Sequence, residues 1–155
     1  MKKEEYMIEA IKLSIDSVLN GGGPFGAVIV KDGKVISKAF NSVTLTNDPT
    51  AHAEVNAIRQ ACKSLNTFFL DGAELYTSCE PCPMCLAAAY WARIKNIYFG
   101  NSRSDAANIN FDDSFIYDEI PLNPTTRSIP SVQILKEHAI KAFELWDEKE
   151  DKIEY

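Results

Sequence analysis

The residues that most restrict how this chain can fold lie in two short groups thirty positions apart, His52-Ala53-Glu54 and Cys82-Pro83-Met84-Cys85. A C-x-x-C turn presents two soft thiolates from one place, and a histidine brought in from elsewhere adds a nitrogen, a donor set that suits zinc. Any fold that uses both groups must return the backbone to the same point after those thirty residues. With four protein ligands the metal would be structural. With three, the fourth position stays open to water and the site is catalytic.

The pattern along the chain supplies such a return. Ile8, Ile11, Ile15 and Val18 recur at helical spacing over residues 4 to about 20, and Asn20-Gly21-Gly22-Gly23-Pro24 stops that helix. Two apolar runs, 26–30 and 34–40, flank Asp32-Gly33, whose residue types suit a tight hairpin turn. Asn47-Asp48-Pro49-Thr50 resembles a helix start, and Val55, Ile58, Cys62 and Leu65 carry helical spacing towards Ser64, with Cys62 expected as a small core residue. Residues 74–78 read as a third strand that delivers the chain to the C-x-x-C turn, a helix then runs to Arg93, and residues 96–100 read as a fourth strand parallel to the third. A last strand is expected over Ser131–Leu135, followed by a helix with Ile140, Phe143 and Trp146 on its apolar stripe. The expected fold is therefore α/β, a sheet layered with helices. The long irregular stretch 101–130, rich in Asp, Asn and Pro, is a candidate substrate lid, because loops of that length in compact domains usually carry function.

Composition narrows the class. A chain of 155 residues with 46% hydrophobic and 25% charged side chains fits one domain, 1–155, with a real core. A net charge of −6 gives no broad basic surface for phosphate backbones, so nucleic acid is not an expected partner. No apolar run approaches the roughly 20 residues of a membrane helix, and Met1-Lys2-Lys3-Glu4-Glu5 lacks the apolar core of a signal peptide, so a cytoplasmic location is expected. Four cysteines, three of them between 79 and 85, point to metal rather than to a disulfide framework.

Cys79, Cys82 and Cys85 form C-x-x-C-x-x-C, but a ferredoxin-like cluster would require a further cysteine where Ala89 stands. Cys82 and Cys85 fall in the first turn of a helix, whose positive end favours thiolates; Cys79 ends the strand and is read as packing. Of the two histidines, His138 has no ligand-bearing motif beside it, which leaves His52 as the third ligand. Glu54, two residues on, is placed to shuttle protons.

His52-Ala53-Glu54 with Pro81-Cys82-Pro83-Met84-Cys85 matches H-x-E…P-C-x-x-C, the signature of zinc nucleobase deaminases. Gly23-Pro24-Phe25-Gly26-Ala27, Asn47 to Glu54, Tyr90-Trp91-Ala92-Arg93 and Phe111 to Tyr117 extend the likeness, and over almost its whole length the chain resembles bacterial guanine deaminases of the cytidine-deaminase-like superfamily. That resemblance implies a three-layer α/β/α sandwich around a mixed five-stranded sheet. It implies one zinc per chain on His52, Cys82 and Cys85, with Glu54 as the proton shuttle in converting guanine to xanthine and ammonia, a step of purine breakdown and salvage. Asn41 resembles the family's base-contacting amide, Asp113 or Asp112 would accept from the donor edge of guanine, and Phe25 and Trp91 would wall the base. The resemblance further implies a homodimer in which residues 136–155 are exchanged, bringing Tyr155 over the partner's site. Competing readings are a tRNA adenosine deaminase, a guanosine or cytosine deaminase, and a structural zinc module with Cys79 as fourth ligand and no use for Glu54.

Overall fold

The computed structural model describes residues 2–155 and divides into two compact units, Met1–Asp113 and Ser114–Tyr155. In the first unit, helix α1 (Lys3–Leu19) leads to strands β1 (Gly26–Lys31) and β2 (Lys34–Phe40). Asp32 and Gly33 between them both take positive φ, 51° and 72°, as the hairpin turn requires. Short helix α2 (Val43–Thr46) precedes α3 (Ala53–Leu65), β3 (Glu74–Cys79), α4 (Pro83–Trp91), β4 (Asn96–Asn101) and α5 (Arg103–Ala107).

The sheet order is β2-β1-β3-β4, with β1 antiparallel to both neighbours and β3 parallel to β4. The sheet is mixed but has four strands, not five. Ser131–Leu135 is not a strand: the Ser131 amide donates to the Pro124 carbonyl of its own loop, and Leu135 turns to a left-handed φ of 52°, which ends any extended run.

Alternation along the strands sends opposite sets of side chains to the two faces. Val28, Val30 and Tyr76 pack on Tyr6 and Ala10 of α1, whereas Ala27, Ile29 and Leu75 pack on Ala53, Ala57 and Ala61 of α3 and on Ala92 beyond α4. Helices thus cover both faces. On the α3 side seven of the ten buried cluster residues are alanines (Ala27, Ala39, Ala53, Ala57, Ala61, Ala73 and Ala92), so helix and sheet approach closely.

The same demand for close approach overturns the expected stripe of α1. Its buried residues are Tyr6, Ala10 and Ser17, while Ile8, Ile11, Ile15 and Val18 are exposed. The helix crosses the sheet at Gly26, where an added Cβ would stand 2.3 Å from the Ala10 carbonyl oxygen. The helix backbone at Ala10 and Ser14, with Leu13 beside it, lies hard against that glycine. Asn47-Asp48-Pro49-Thr50 likewise closes a helix instead of opening one: Asn47 is the left-handed cap of α2, and Asp48 accepts from the Thr50 amide and hydroxyl in a tight turn.

The second unit holds α6 (Ser114–Glu119), a single 3₁₀ turn (Pro124–Thr126) and α7 (Lys136–Glu148). Arg127 and Ser128 bond back to Glu119 and Ile120 and tie its loop together. No residue from 114 to 155 is buried. Residues 101–130, the expected lid, are therefore not one loop but α5, α6, the 3₁₀ turn and their connections, shared between the units. No helix among the described residues is long and apolar enough to cross a membrane.

Candidate active site

Two helix starts face each other on the α3 side of the sheet. His52 is the N-cap residue of α3 and Cys82 that of α4, both extended (ψ 154° and 168°), and neither side chain caps its own helix. Pro83 opens α4, where its missing N–H does no harm, and the turn carries Cys85 inward. The side chains released from capping meet instead. His52 Nδ1 lies 3.5 Å from Cys82 Sγ and 3.4 Å from Cys85 Sγ, and the three donor atoms all fall within 4.8 Å of one another.

Those separations test the fit to zinc. Zn–S bonds of about 2.3 Å and Zn–N bonds of about 2.05 Å in a tetrahedron place S and N about 3.6 Å apart. The observed edges agree, and the soft donor set agrees with the metal. Cys79, the last residue of β3, is not in the trio; its thiol donates to the Ser102 carbonyl at 3.7 Å, and burial pushes it up to about 11. The structural-module reading thus loses its fourth ligand.

The neighbouring Cys85 thiol and the His52 ring hold the Cys82 thiol far below its ordinary range, whereas Cys82, burial and the Glu54 charge push the Cys85 thiol up, and Cys85 Sγ donates to Glu54 Oε2 at 3.4 Å. The bond to Cys82 raises the His52 imidazole, and both helix N-termini add positive potential. Glu54 sits in the first turn of α3, 5% exposed, and burial raises its carboxyl above the ordinary range. Its Oε2 lies 3.4 Å from Cys85 Sγ, at the edge of the trio.

Asn41, Phe25 and Asp113 belong to the same compact unit as the trio. Asn41 is buried directly after β2; its carbonyl accepts from the Ser17 hydroxyl of α1 at 3.1 Å, and its Oδ1 accepts from the Val43 amide at 3.2 Å. Phe25 meets Phe111 edge-on with centroids 5.1 Å apart. Asp113 is half-buried, 3.9 Å from the Arg103 guanidinium, and burial raises its carboxyl, while Asp112 beside it is exposed. Asp113 is close enough to Cys82 and Cys79 to be felt by both thiols. Trp91, six residues after Cys85 and about 240° around α4, is 69% exposed. Tyr155 belongs to the second unit and is 74% exposed. One residue missed by the sequence reading is Thr77, fully buried on β3, whose hydroxyl lies 3.1 Å from Glu54 Oε1. Its signal was available, since i, i+2 alternation puts Thr77 on the same strand face as Cys79, next to the ligand turn.

With this geometry in place, comparison with known proteins is decisive for the family. The model of the cytidine and deoxycytidylate deaminase zinc-binding region matches residues 1–101, which include His52, Glu54, Cys82 and Cys85. The chain is a cytidine and deoxycytidylate deaminase family member. Within that deaminase family it is 51% identical to the guanine deaminase of Bacillus subtilis over the full length of both chains. The X-ray structure of that B. subtilis protein superposes with a TM-score of 0.97, covering 100% of this chain and 99% of that one. A guanine deaminase structure from Nitrosomonas europaea gives a TM-score of 0.69 at 30% identity, covering 72% of this chain and 65% of that one. The tRNA-specific adenosine deaminase of Aquifex aeolicus is 48% identical, but over 64% of this chain and 66% of its own length.

Proposed function

We propose that this deaminase hydrolyses guanine to xanthine and ammonia, using zinc held by His52 Nδ1, Cys82 Sγ and Cys85 Sγ. The observation that carries the chemistry is the nitrogen–sulfur triangle with the Glu54 carboxyl on its edge. Zinc, when bound, is a Lewis acid that makes water a competent nucleophile near neutral pH. Glu54 takes the proton of the attacking water and delivers it to N3 of the purine as oxygen bonds to C2. A second transfer through Glu54 protonates the departing amine, the C2–N bond breaks, and guanine plus water leaves as xanthine plus ammonia. Burial suits the carboxyl to this exchange, because it raises the pKa towards working pH.

The guanine reading rests on the relative that aligns end to end, whereas the tRNA deaminase of Aquifex matches about two thirds of the chain. Local chemistry supports it. Asn41 spends its Oδ1 on Val43, which turns Nδ2 to donate to an acceptor on the ring. Asp113 accepts from the donor edge of guanine, where a buried donor without a partner would cost about 1–3 kcal/mol. Phe25, fixed by Phe111, walls the base.

The assembly is a homodimer in which residues 136–155 are exchanged and Tyr155 closes the partner's site. This reading is supported by the absence of any buried residue between 114 and 155: Phe143, Leu145 and Trp146 of α7 need an apolar counter-surface that a second copy provides. Four cysteines with free thiols fit a cytoplasmic enzyme.

Loss of ultraviolet absorbance on adding guanine to zinc-loaded protein tests the reading, against a panel of guanosine, cytosine and tRNA. Turnover of tRNA with none of guanine would replace it by the adenosine deaminase alternative.

A further inference from the structure

The Thr77 hydroxyl has one proton and two acceptors within reach, Glu54 Oε1 at 3.1 Å and the Cys79 carbonyl at 3.0 Å. Thr77 is fully buried and lies in the middle of the sheet, in register with Ala27 on one side and Phe99 on the other. Its backbone is therefore fixed by ladders on both sides, and a β-branched side chain has few χ1 choices. Between the two acceptors a carboxylate wins, because charge-assisted hydrogen bonds are roughly twice as strong as neutral ones. The two carboxyl oxygens of Glu54 consequently differ. Oε1 is occupied from the strand, and Oε2 is turned towards Cys85 Sγ at the edge of the ligand trio.

We infer that Thr77 is a positioning residue that makes Oε2 the oxygen on which Glu54 carries its proton, so that proton pick-up and delivery use the same atom facing the reacting base. The inference rests on the proposed role of Glu54. Thr77 itself neither gains nor loses a proton: it donates to Oε1 when Glu54 is the carboxylate, and when Glu54 is the acid protonated on Oε2 the hydroxyl is shared between Oε1, which still accepts, and the Cys79 carbonyl. Without that hydroxyl the carboxyl can flip or take its proton on the oxygen turned away from substrate, and a fraction of encounters becomes unproductive. The step that suffers is chemistry, not binding, because Thr77 touches the shuttle and not the base.

The test is a double-mutant cycle on the full-length, zinc-loaded chain. Thr77→Val removes the hydroxyl at nearly constant shape and Thr77→Ser retains it, each made alone and on a Glu54→Gln background. Expected for Thr77→Val is a kcat for guanine reduced by about 10- to 30-fold, with KM and zinc per chain within twofold of wild type, and Thr77→Ser within about threefold of wild-type kcat. That size lies below the 10²- to 10⁴-fold of losing general acid–base catalysis outright. On Glu54→Gln, Thr77→Val should change the residual rate by less than twofold. A purely structural role would lower both backgrounds alike, and that result would overturn the inference. So would a Thr77→Val chain with kcat within twofold of wild type, or a Thr77→Ser chain as slow as Thr77→Val. If Thr77→Val proves too unstable to load with zinc, Thr77→Ala takes its place under the same criteria. A wild-type chain that binds zinc yet deaminates no base in the panel would overturn the reading of Glu54 and this role with it, whereas guanine turnover insensitive to Thr77 overturns this role alone.

Discussion

The two compact units look alike in sequence and differ in what they bury. The helix α3 carries Val55, Ile58, Cys62 and Leu65 at helical spacing, and α7 carries Ile140, Phe143 and Trp146 in the same way. Yet α3 lies on a sheet and buries Ala53, Glu54, Ala57 and Ala61, whereas α7 buries nothing. Periodicity records that a helix has an apolar side. It does not record whether a surface waits for it. The difference also divides the residues: the first unit holds the trio of His52, Cys82 and Cys85 with Glu54, Asn41 and Asp113, and the second holds exposed apolar residues such as Phe143 and Leu145.

The sharpest way to break that division is Glu54→Gln. If the chemistry resides in the first unit, guanine turnover falls by about 10³-fold while zinc per chain, measured by atomic absorption, stays near one. Turnover preserved within tenfold would remove Glu54 from the mechanism. Phe143→Asp addresses the second unit: a charge on the apolar face of α7 should weaken the dimer by about 100-fold in sedimentation equilibrium, in line with anchors worth 2 kcal/mol or more. A dimer of unchanged strength would mean that α7 does not seek its surface in a second copy. Asp113→Asn, in the first unit but next to the boundary, should lower kcat/KM for guanine by about tenfold with zinc retained. An unaltered value would take Asp113 out of the base pocket.

The smallest effect concerns a turn rather than the site. The Thr50 hydroxyl and amide hold the Asp48 carboxyl below its ordinary 3.8. A folded pKa depressed below the unfolded one adds stability that is present above about pH 4 and is lost as pH falls through the folded value. Asp48→Ala should therefore lower the melting temperature by a degree or two at pH 6 and by nothing measurable near pH 2, followed by circular dichroism. An equal loss at both pH values would assign the effect to packing.

Much of the candidate site was legible because its constraints are local. The C-x-x-C spacing, the proline at the helix start and the His-x-Glu step each determine geometry within one turn, and His52, Cys82 and Cys85 duly converge. The parallel pairing of β3 and β4 was likewise legible from the crossover between them. The failures share a cause. Reading large apolar residues as the buried face misplaced α1, because Ala10, Leu13 and Ser14 lie hard against Gly26 and Ser17 lies hard against Gly22. The fifth strand failed because an apolar run becomes a strand only beside another strand, and Ser131–Leu135 bonds within its own loop. Thr77 escaped notice because strand alternation gives its face but not its partner, and Glu54 reaches it only once α3 packs on the sheet.

The alanine lining beneath α3 has a consequence for inheritance. The gap between this helix and the strands is set by the width of a methyl group at Ala53, Ala57 and Ala61 against Ala27 and Ala39. His52 and Glu54 ride on the first turn of the same helix, so the thickness of that layer is also the distance from shuttle to strand. Substituting Val for Ala57 would thicken the layer by about two methyl groups, and overpacking of this kind costs about 1–3 kcal/mol when the structure yields and displaces the helix when it does not. A mutational scan scored on guanine would therefore mark these alanines as functional although each is buried between helix and sheet. They act as gauge blocks, and the substitutions this layer tolerates are confined by a dimension as much as by a reaction.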